Sequence, residues 1–350
     1  MSVKMHLAPE LVSGLGQRVV QWQRTHGRHD LPWQVNRDPY RVWLSEIMLQ
    51  QTQVSTVMAY FERFLQRCPD VQSLADAPLD DVLALWSGLG YYSRARNLHA
   101  CAQQVVARFG GQFPRTEFEL KTLPGIGPST AAAIASICFS QRAAILDGNV
   151  KRVLTRVLGF DGDLASSAQE KHLWALARGV LPSEADMPTY TQGVMDLGAT
   201  LCTTRQPRCE ACPLSEMCVA KAQGTPQAYP VKTRKLKRSA ESHWLLCALN
   251  ARGEVWLSQR PTPGVWAGLY CFEMFASMAE LEVGVQQAGG TALLQVREPL
   301  KHVLTHKDLH LHPVLAQLEK PINQSGRWVP LAQALSLGLP APIKTLLQNL

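Results

Sequence analysis

LPGIGPSTAAAIASI, residues 123–137, sets two glycines around an isoleucine, then a proline, then a run of small residues. Glycine lets the backbone turn tightly, and proline favours the first position of a helix. The stretch therefore reads as a turn that feeds a helix, with free N–H groups at the helix start suited to an anion. A plain interhelical turn is the commoner meaning of two such glycines. Ser129 stands just inside the helix.

Working outward, the first two thirds of the chain read as helices. Asp38 and Pro39 form an N-cap and first-turn pair. The apolar stripe that follows is interrupted at Gln50-Gln51-Thr52, which predicts a break with Thr52 capping a second helix. Further helices are predicted over 79–86, 93–109, 116–121, 128–139, 149–157, 168–179 and 188–200. Residues 219–240 carry six lysines and arginines with no acid, the texture of a linker able to touch phosphate. From His243 onward the apolar runs are short (HWLLCAL, EVWLSQR, LYCFEMF, LHLHPVLAQL), which predicts strands with one or two helices.

The 350 residues are 46% hydrophobic and 18% charged, a composition that excludes a disordered chain. No apolar run approaches the roughly 18 residues needed to cross a bilayer, and the N-terminus lacks a signal-peptide pattern. A soluble cytoplasmic protein is expected, one whose nine cysteines form no structural disulfides. The net charge of +7 favours a polyanionic partner.

Four of those cysteines cluster as C-x6-C-x2-C-x5-C, at Cys202, Cys209, Cys212 and Cys218. Four thiolates this close make a soft site for Zn²⁺ or an iron–sulfur cluster. Zinc sites more often use two C-x2-C pairs, so the single pair here leans towards iron–sulfur. Arg205, Arg208 and Lys221 lend the loop a basic surface.

Two carboxylates also stand out. Glu46 lies in the apolar helix VWLSEIML, which should raise its pKa and let it hold a proton near neutrality. Asp147 sits in the turn LDGN just before a helix, where an ionised carboxylate is favoured. Such a pair suits general acid work on a leaving group, with an ionised carboxylate to steady a developing cation. A solvated helix position and a plain N-cap are the simpler readings of either residue alone.

The hairpin stretch resembles the helix-hairpin-helix motif of DNA repair glycosylases, and the cysteine spacing resembles the [4Fe–4S] loop of the endonuclease III superfamily. SEIMLQQTQV (45–54), GLGYYSRARNL (88–98) and ILDGNVKRVL (145–154) are similar to the MutY-type adenine DNA glycosylases. The resemblance covers nearly the whole chain. It implies a helical glycosylase domain over 1–221 with a [4Fe–4S] loop at 202–218, a basic linker over 222–240, and a smaller Nudix-like α+β domain over 241–350. It further implies a monomer that excises adenine opposite 8-oxoguanine or guanine from double-stranded DNA in base excision repair. Glu46 would protonate adenine at N7, and Asp147 would steady the sugar cation. The anion at Gly125, Gly127 and Ser129 would be a DNA phosphate.

Bifunctional relatives carry a lysine where this chain has Ser129, and a hydroxyl cannot form an imine. A monofunctional enzyme is expected, the alternative being a bifunctional glycosylase/AP lyase for oxidised pyrimidines. Base flipping needs a filler for the vacated stack. By the resemblance Gln51 is that wedge, Thr52 touches the partner base, and Tyr91 inserts beside it while Tyr92 belongs to the core. Trp33 and Gln192 match residues lining the adenine pocket. Where some relatives carry arginine or lysine before LPW, this chain has Arg28-His29-Asp30.

In the second domain SQRPTPGVWAGLYCFE (258–273) is similar to the run preceding a Nudix catalytic helix, yet FASMAELEVG lacks R-E-x-x-E-E. Without those carboxylates a hydrolase cannot hold its metal, which points to recognition rather than hydrolysis. Leu304, Thr305 and His306 occupy the place of the family's Phe-Ser-His lesion-reading tip. Threonine keeps a hydroxyl, and leucine loses the aromatic face. His302, His306, His310 and His312 read as strand and loop residues.

Overall fold

The structure, a computed structural model, describes residues 9–233, 237–288, 293–320, 322–323 and 325–350. Residues 234–236 of the expected linker lie outside that set. The chain forms two compact units, one of Met1–Glu62, Asp70–Gln72 and Ala100–Arg234, the other of Arg63–Pro69, Ser73–His99 and Lys235–Leu350.

In chain order the α-helices before the first strand are α1 (Pro9–His26), α2 (Pro39–Leu49), α3 (Val54–Arg67), α4 (Val71–Asp76), α5 (Leu79–Leu85), α6 (Ser93–Phe109), α7 (Glu117–Leu120), α8 (Pro128–Phe139), α9 (Gly148–Leu158), α10 (Ser167–Gly179), α11 (Met187–Thr200) and α12 (Val219–Ala222). Local chemistry sets their starts. Asp38 caps α2 by accepting from the Arg41 amide at 2.9 Å, with Pro39 in the first turn. Asp147 caps α9 in the same way, and Gly159 ends that helix in the left-handed conformation. The chain breaks at Gln50-Gln51-Thr52 as expected, with α3 beginning two residues after Thr52 and the Gln53 carbonyl accepting its first amides, from Thr56 and Val57.

The first unit is organised around α8, whose Ala131 to Ala135 run is buried. Its small side chains let α2, α7 and α11 pack directly against it. On α11, glycines serve the same purpose on other faces. A Cβ at Gly193 would stand 2.8 Å from Gln23 Cβ on α1, and one at Gly198 would stand 2.6 Å from Asn149 Cβ on α9.

The second unit carries a mixed sheet with β1 (Ser239–Leu249), β2 (Glu254–Gln259), β3 (Tyr270–Cys271), β4 (Glu273–Phe275), β5 (Gln295–Val296), β6 (Leu300–Val303), β7 (Lys307–Gln317) and β8 (Gly326–Pro330). Strand β1 is central, antiparallel to β2 and parallel to β7 along its full length, Ser239 opposite Lys307 and Leu249 opposite Gln317. The same unit holds α5, the start of α6, and helices α13 (Met278–Gln287), α14 (Leu331–Ala334) and α15 (Ala341–Gln348), with Leu281 and Val285 of α13 in a core with Leu246, Trp256 and Val314. Glu280 spends its carboxylate on the Ala276 amide while Ser277 caps the Glu280 amide, a reciprocal capping box rather than a metal ligand.

Gly198→Ala forces α9 and α11 apart at Asn149, two residues from Asp147. Overpacking of this kind costs about 1–3 kcal/mol. The expected outcome is a lowered urea midpoint, and a midpoint equal to that of the parent would show that the two helices tolerate the methyl group.

Candidate active site

Helix α2 delivers Glu46 and the N-terminus of α9 delivers Asp147 to one open cleft of about 1010 Å³. Arg28, Trp33, Gln51, Thr52, Ser129 and Gln192 share its wall. A second chamber of about 330 Å³ adjoins it, lined by His29 and Gln34 and by four residues common to both, Arg28, Trp33, Glu46 and Gln192. Trp33 is buried and meets Phe61 edge-on at 5.3 Å, which fixes its ring as a rigid wall. Glu46 thus stands at the junction between a small chamber and the cleft that holds Asp147.

The two carboxyls differ in charge. Burial pushes Glu46 up to about 8, and the nearby Asp147 charge adds to the shift. Burial also raises Asp147, but the Val150 and Asn149 amides and the Arg152 and Lys151 charges pull it back. Asp147 Oδ1 accepts from the Val150 amide at 2.7 Å. The helix start therefore does not leave Asp147 at an ordinary value, because desolvation outweighs the amide dipoles. Burial is the larger cause of the Glu46 shift; that the Asp147 charge adds to it means Asp147 is ionised while Glu46 keeps its proton.

The hairpin stands beside this pair. Gly125 has φ of +73°, which glycine adopts at no cost, and Gly127 is the N-cap of α8. Both glycines are exposed and line a shallow pocket with Ser129, Lys151 and Glu170. Ser129 does not cap its helix. Its Oγ accepts from the Leu146 amide at 3.1 Å, tying the hairpin to the residue before Asp147. Gln51, exposed at the α2–α3 break, has φ of 59°, a left-handed conformation that costs a non-glycine residue energy.

Within the second unit, Tyr91 also adopts a positive φ, 48°, and remains 43% exposed. Its hydroxyl lies 2.7 Å from Thr305 Oγ1, at the β6–β7 tip where Thr305 and His306 are exposed. Tyr92 is buried and donates to the Leu339 carbonyl at 2.9 Å. His302 packs on Trp266, and His312 stacks on Trp244 at 4.5 Å.

Cys202, Cys209, Cys212 and Cys218 are all unpaired thiols and line a single cavity. Val153, Leu197 and Leu214 make its walls apolar, and Arg156 and Lys221 bring positive charge. Among the described residues no three His, Cys, Asp or Glu side chains converge on a single-ion site. Four soft donors around one cavity, with cations beside them, could hold a metal ion or an iron–sulfur group. Arg156 is buried, donating to the carbonyls of Pro226, Thr203 and Thr204. Arg152 donates to the carbonyls of Cys202 and Gly198 and to Asn149 Oδ1. The helix that Asp147 caps is thereby fastened to the cysteine loop. The spacing of these arginines on α9, four residues apart, was the available signal, and sequence reading passed over it.

Known proteins share this plan. Residues 44–178 match the HhH-GPD superfamily of base excision DNA repair proteins, and residues 244–349 match the NUDIX domain. An adenine DNA glycosylase of Buchnera aphidicola is 36% identical over 95% of this chain and 96% of its own length. The chain belongs to the adenine DNA glycosylase family. The Homo sapiens adenine DNA glycosylase is 45% identical over 55% of this chain and 37% of its own length. Among solved structures, a thermostable thymine-DNA glycosylase is 28% identical, with a TM-score of 0.53 over 59% of this chain and 95% of its own. An endonuclease III–DNA complex, 20% identical with a TM-score of 0.50 over 60% of this chain and 94% of its own, shares the helical fold. Among the described residues no helix is long and apolar enough to cross a membrane.

A protonated Glu46 has a consequence for stability that this family member should display. Its folded value of about 8 exceeds the ordinary 4.5, so unfolding releases a proton between those limits. Stability therefore falls as pH rises through that window. Glu46→Gln removes this slope, and its urea midpoint relative to the parent should climb from about pH 4.5 to about 8 and then level. Parallel pH profiles for the two proteins would rule out the raised Glu46 value.

Proposed function

We propose that this protein is a monofunctional adenine DNA glycosylase acting on adenine opposite 8-oxoguanine or guanine in double-stranded DNA. The observation that carries this reading is that Glu46, whose pKa burial lifts to about 8, shares one cleft with Asp147 at the mouth of a base-sized chamber. Adenine turns out of the duplex into the chamber against Trp33, and its sugar remains in the cleft beside Asp147. The C1′–N9 bond breaks with its electron pair passing to the base, while Glu46 gives its proton to N7. Asp147 steadies the cationic sugar. Water then adds hydroxide to C1′ and returns a proton to Glu46, leaving free adenine and an abasic strand.

The remaining roles are carried over from the family resemblance. Gly125 and Gly127 hold a phosphate through backbone amides. Gln51 fills the vacated stack, with Thr52 beside it. Tyr91, Thr305 and His306 read the partner base. Ser129 offers a hydroxyl committed to the Leu146 amide and no amine, which supports base removal without strand scission. The four cysteines bind a [4Fe–4S] cluster, which when bound cross-links the loop that fastens α9. The protein works as a monomer in the cytoplasm.

A duplex with one adenine opposite 8-oxoguanine, labelled on the adenine strand, tests the reading. Strand breaks should appear only after hot alkali, at a rate that falls as pH rises through about 8, where Glu46 loses its proton. Glu46→Gln should lower the single-turnover rate by roughly 10²- to 10⁴-fold while the duplex still binds. Breaks without alkali would reveal a lyase, and bound DNA without product in the parent protein would remove the substrate assignment.

A further inference from the structure

Asp196 is the one acidic side chain on α11, and it is wholly buried, at 0% exposure. A buried carboxylate is tolerable only where it is paired and hydrogen-bonded. Arg28 provides the pairing. Its Nε lies 2.7 Å and its second terminal nitrogen 2.6 Å from Asp196 Oδ1, and its own backbone amide donates to Oδ2 at 3.0 Å. One further donor reaches the carboxylate. Gln192, one helical turn earlier, places its amide nitrogen 2.9 Å from Oδ1.

This last bond decides which way the Gln192 amide faces. An ionised carboxylate only accepts, so the amide group turned towards it must be the NH₂. Rotating the amide by half a turn would set its oxygen against Asp196 in a site from which water is excluded. The oxygen is therefore the end left for the cleft and chamber that Gln192 lines together with Glu46. Adenine presents an N7 acceptor and an N6 amino donor side by side on one edge, whereas guanine and other 6-oxo purines present two acceptors there. Glu46 in its protonated form serves N7, and an acceptor close by serves only the amino group.

We propose that Asp196, clamped by Arg28, is a positioning residue that fixes the Gln192 carbonyl as an acceptor for a purine 6-amino group and so excludes 6-oxo purines. This rests on the function proposed above and deepens it by naming what selects the base. Neither Arg28 nor Asp196 touches the reacting atoms. They act through the orientation of one amide, across 168 residues of sequence.

Single-turnover excision by the full-length holoprotein, on duplexes that differ only in carrying adenine or hypoxanthine, reads this directly. Asp196→Asn can donate or accept, which frees the Gln192 amide to turn. The adenine-to-hypoxanthine rate ratio should fall about tenfold, the scale of one hydrogen bond exchanged for a repulsion. Gln192→Leu should lower the ratio similarly, and adding Asp196→Asn to it should change the ratio no further. Should Asp196→Asn fail to fold, Arg28→Lys keeps the charge but loses the fork, and it should also lower the ratio. A parent protein that excises adenine selectively, with the ratio unchanged in these variants even where rates drop, would overturn the positioning role alone. A ratio that falls further in the double variant would mean that Asp196 acts by another route. A parent protein without adenine excision would remove the function and this inference together.

Discussion

Two carboxyls share one cleft, and only one of them carries charge. Everything else in the helical unit follows from keeping that inequality. Glu46 rides on α2, whose neighbouring residues Trp43, Leu44, Ser45, Ile47 and Met48 are buried, so little water reaches it from the helix side. Asp147 occupies a helix start, where amides and two nearby cations counter its burial. Exchanging the two environments would exchange the roles, because the charged form belongs where donors converge and the neutral form where they do not. The placement of α9 is then critical. Arg152 and Arg156 fasten it to the cysteine loop, Gly198 lets α11 approach it, and Ser129 ties the preceding residue to the hairpin.

Two exposed turns, one in each unit, hold a side chain at positive φ. Gln51 and Tyr91 are polar or aromatic residues held at positive φ, and both are exposed. Neither gains core packing in return for a conformation that costs such residues of order 1–3 kcal/mol. A glycine would satisfy both turns at lower cost. Keeping a side chain there is consistent with use of the side chain itself, and both positions were singled out for DNA contact on the resemblance.

Much of this was legible in the sequence because the signals are local. Asp38-Pro39, Gly127-Pro128 and Asp147 mark the starts of α2, α8 and α9 with short-range chemistry, and the α8 span matches its expected 128–139. The α2–α3 break was visible too, in the polar run that interrupts the apolar stripe. Helix α1 is not among the helices expected from the sequence, and it carries Gly14 and Gly16 in its interior. Gly16 is there for close approach, since a Cβ would stand 3.0 Å from the Val180 carbonyl. Long-range partners were beyond reach in principle. Nothing near Arg28 indicates Asp196, and nothing near Tyr91 indicates Thr305, 214 residues away.

That last pair bears on the altered reading tip. Leu304 removes an aromatic face from the β6–β7 turn, and Thr305 keeps only the hydroxyl. Yet the Thr305 hydroxyl is bonded to Tyr91, whose ring stays 43% exposed beneath the Arg94 guanidinium, 5.5 Å from its centroid. An aromatic surface and a hydroxyl thus remain adjacent, with the ring supplied from a loop rather than from the tip itself. The hydroxyl pair does not exhaust the polar capacity at this turn. A hydroxyl donates one hydrogen bond and accepts two, so the Thr305–Tyr91 bond uses one donor and one lone pair, and the second O–H can still be donated outward.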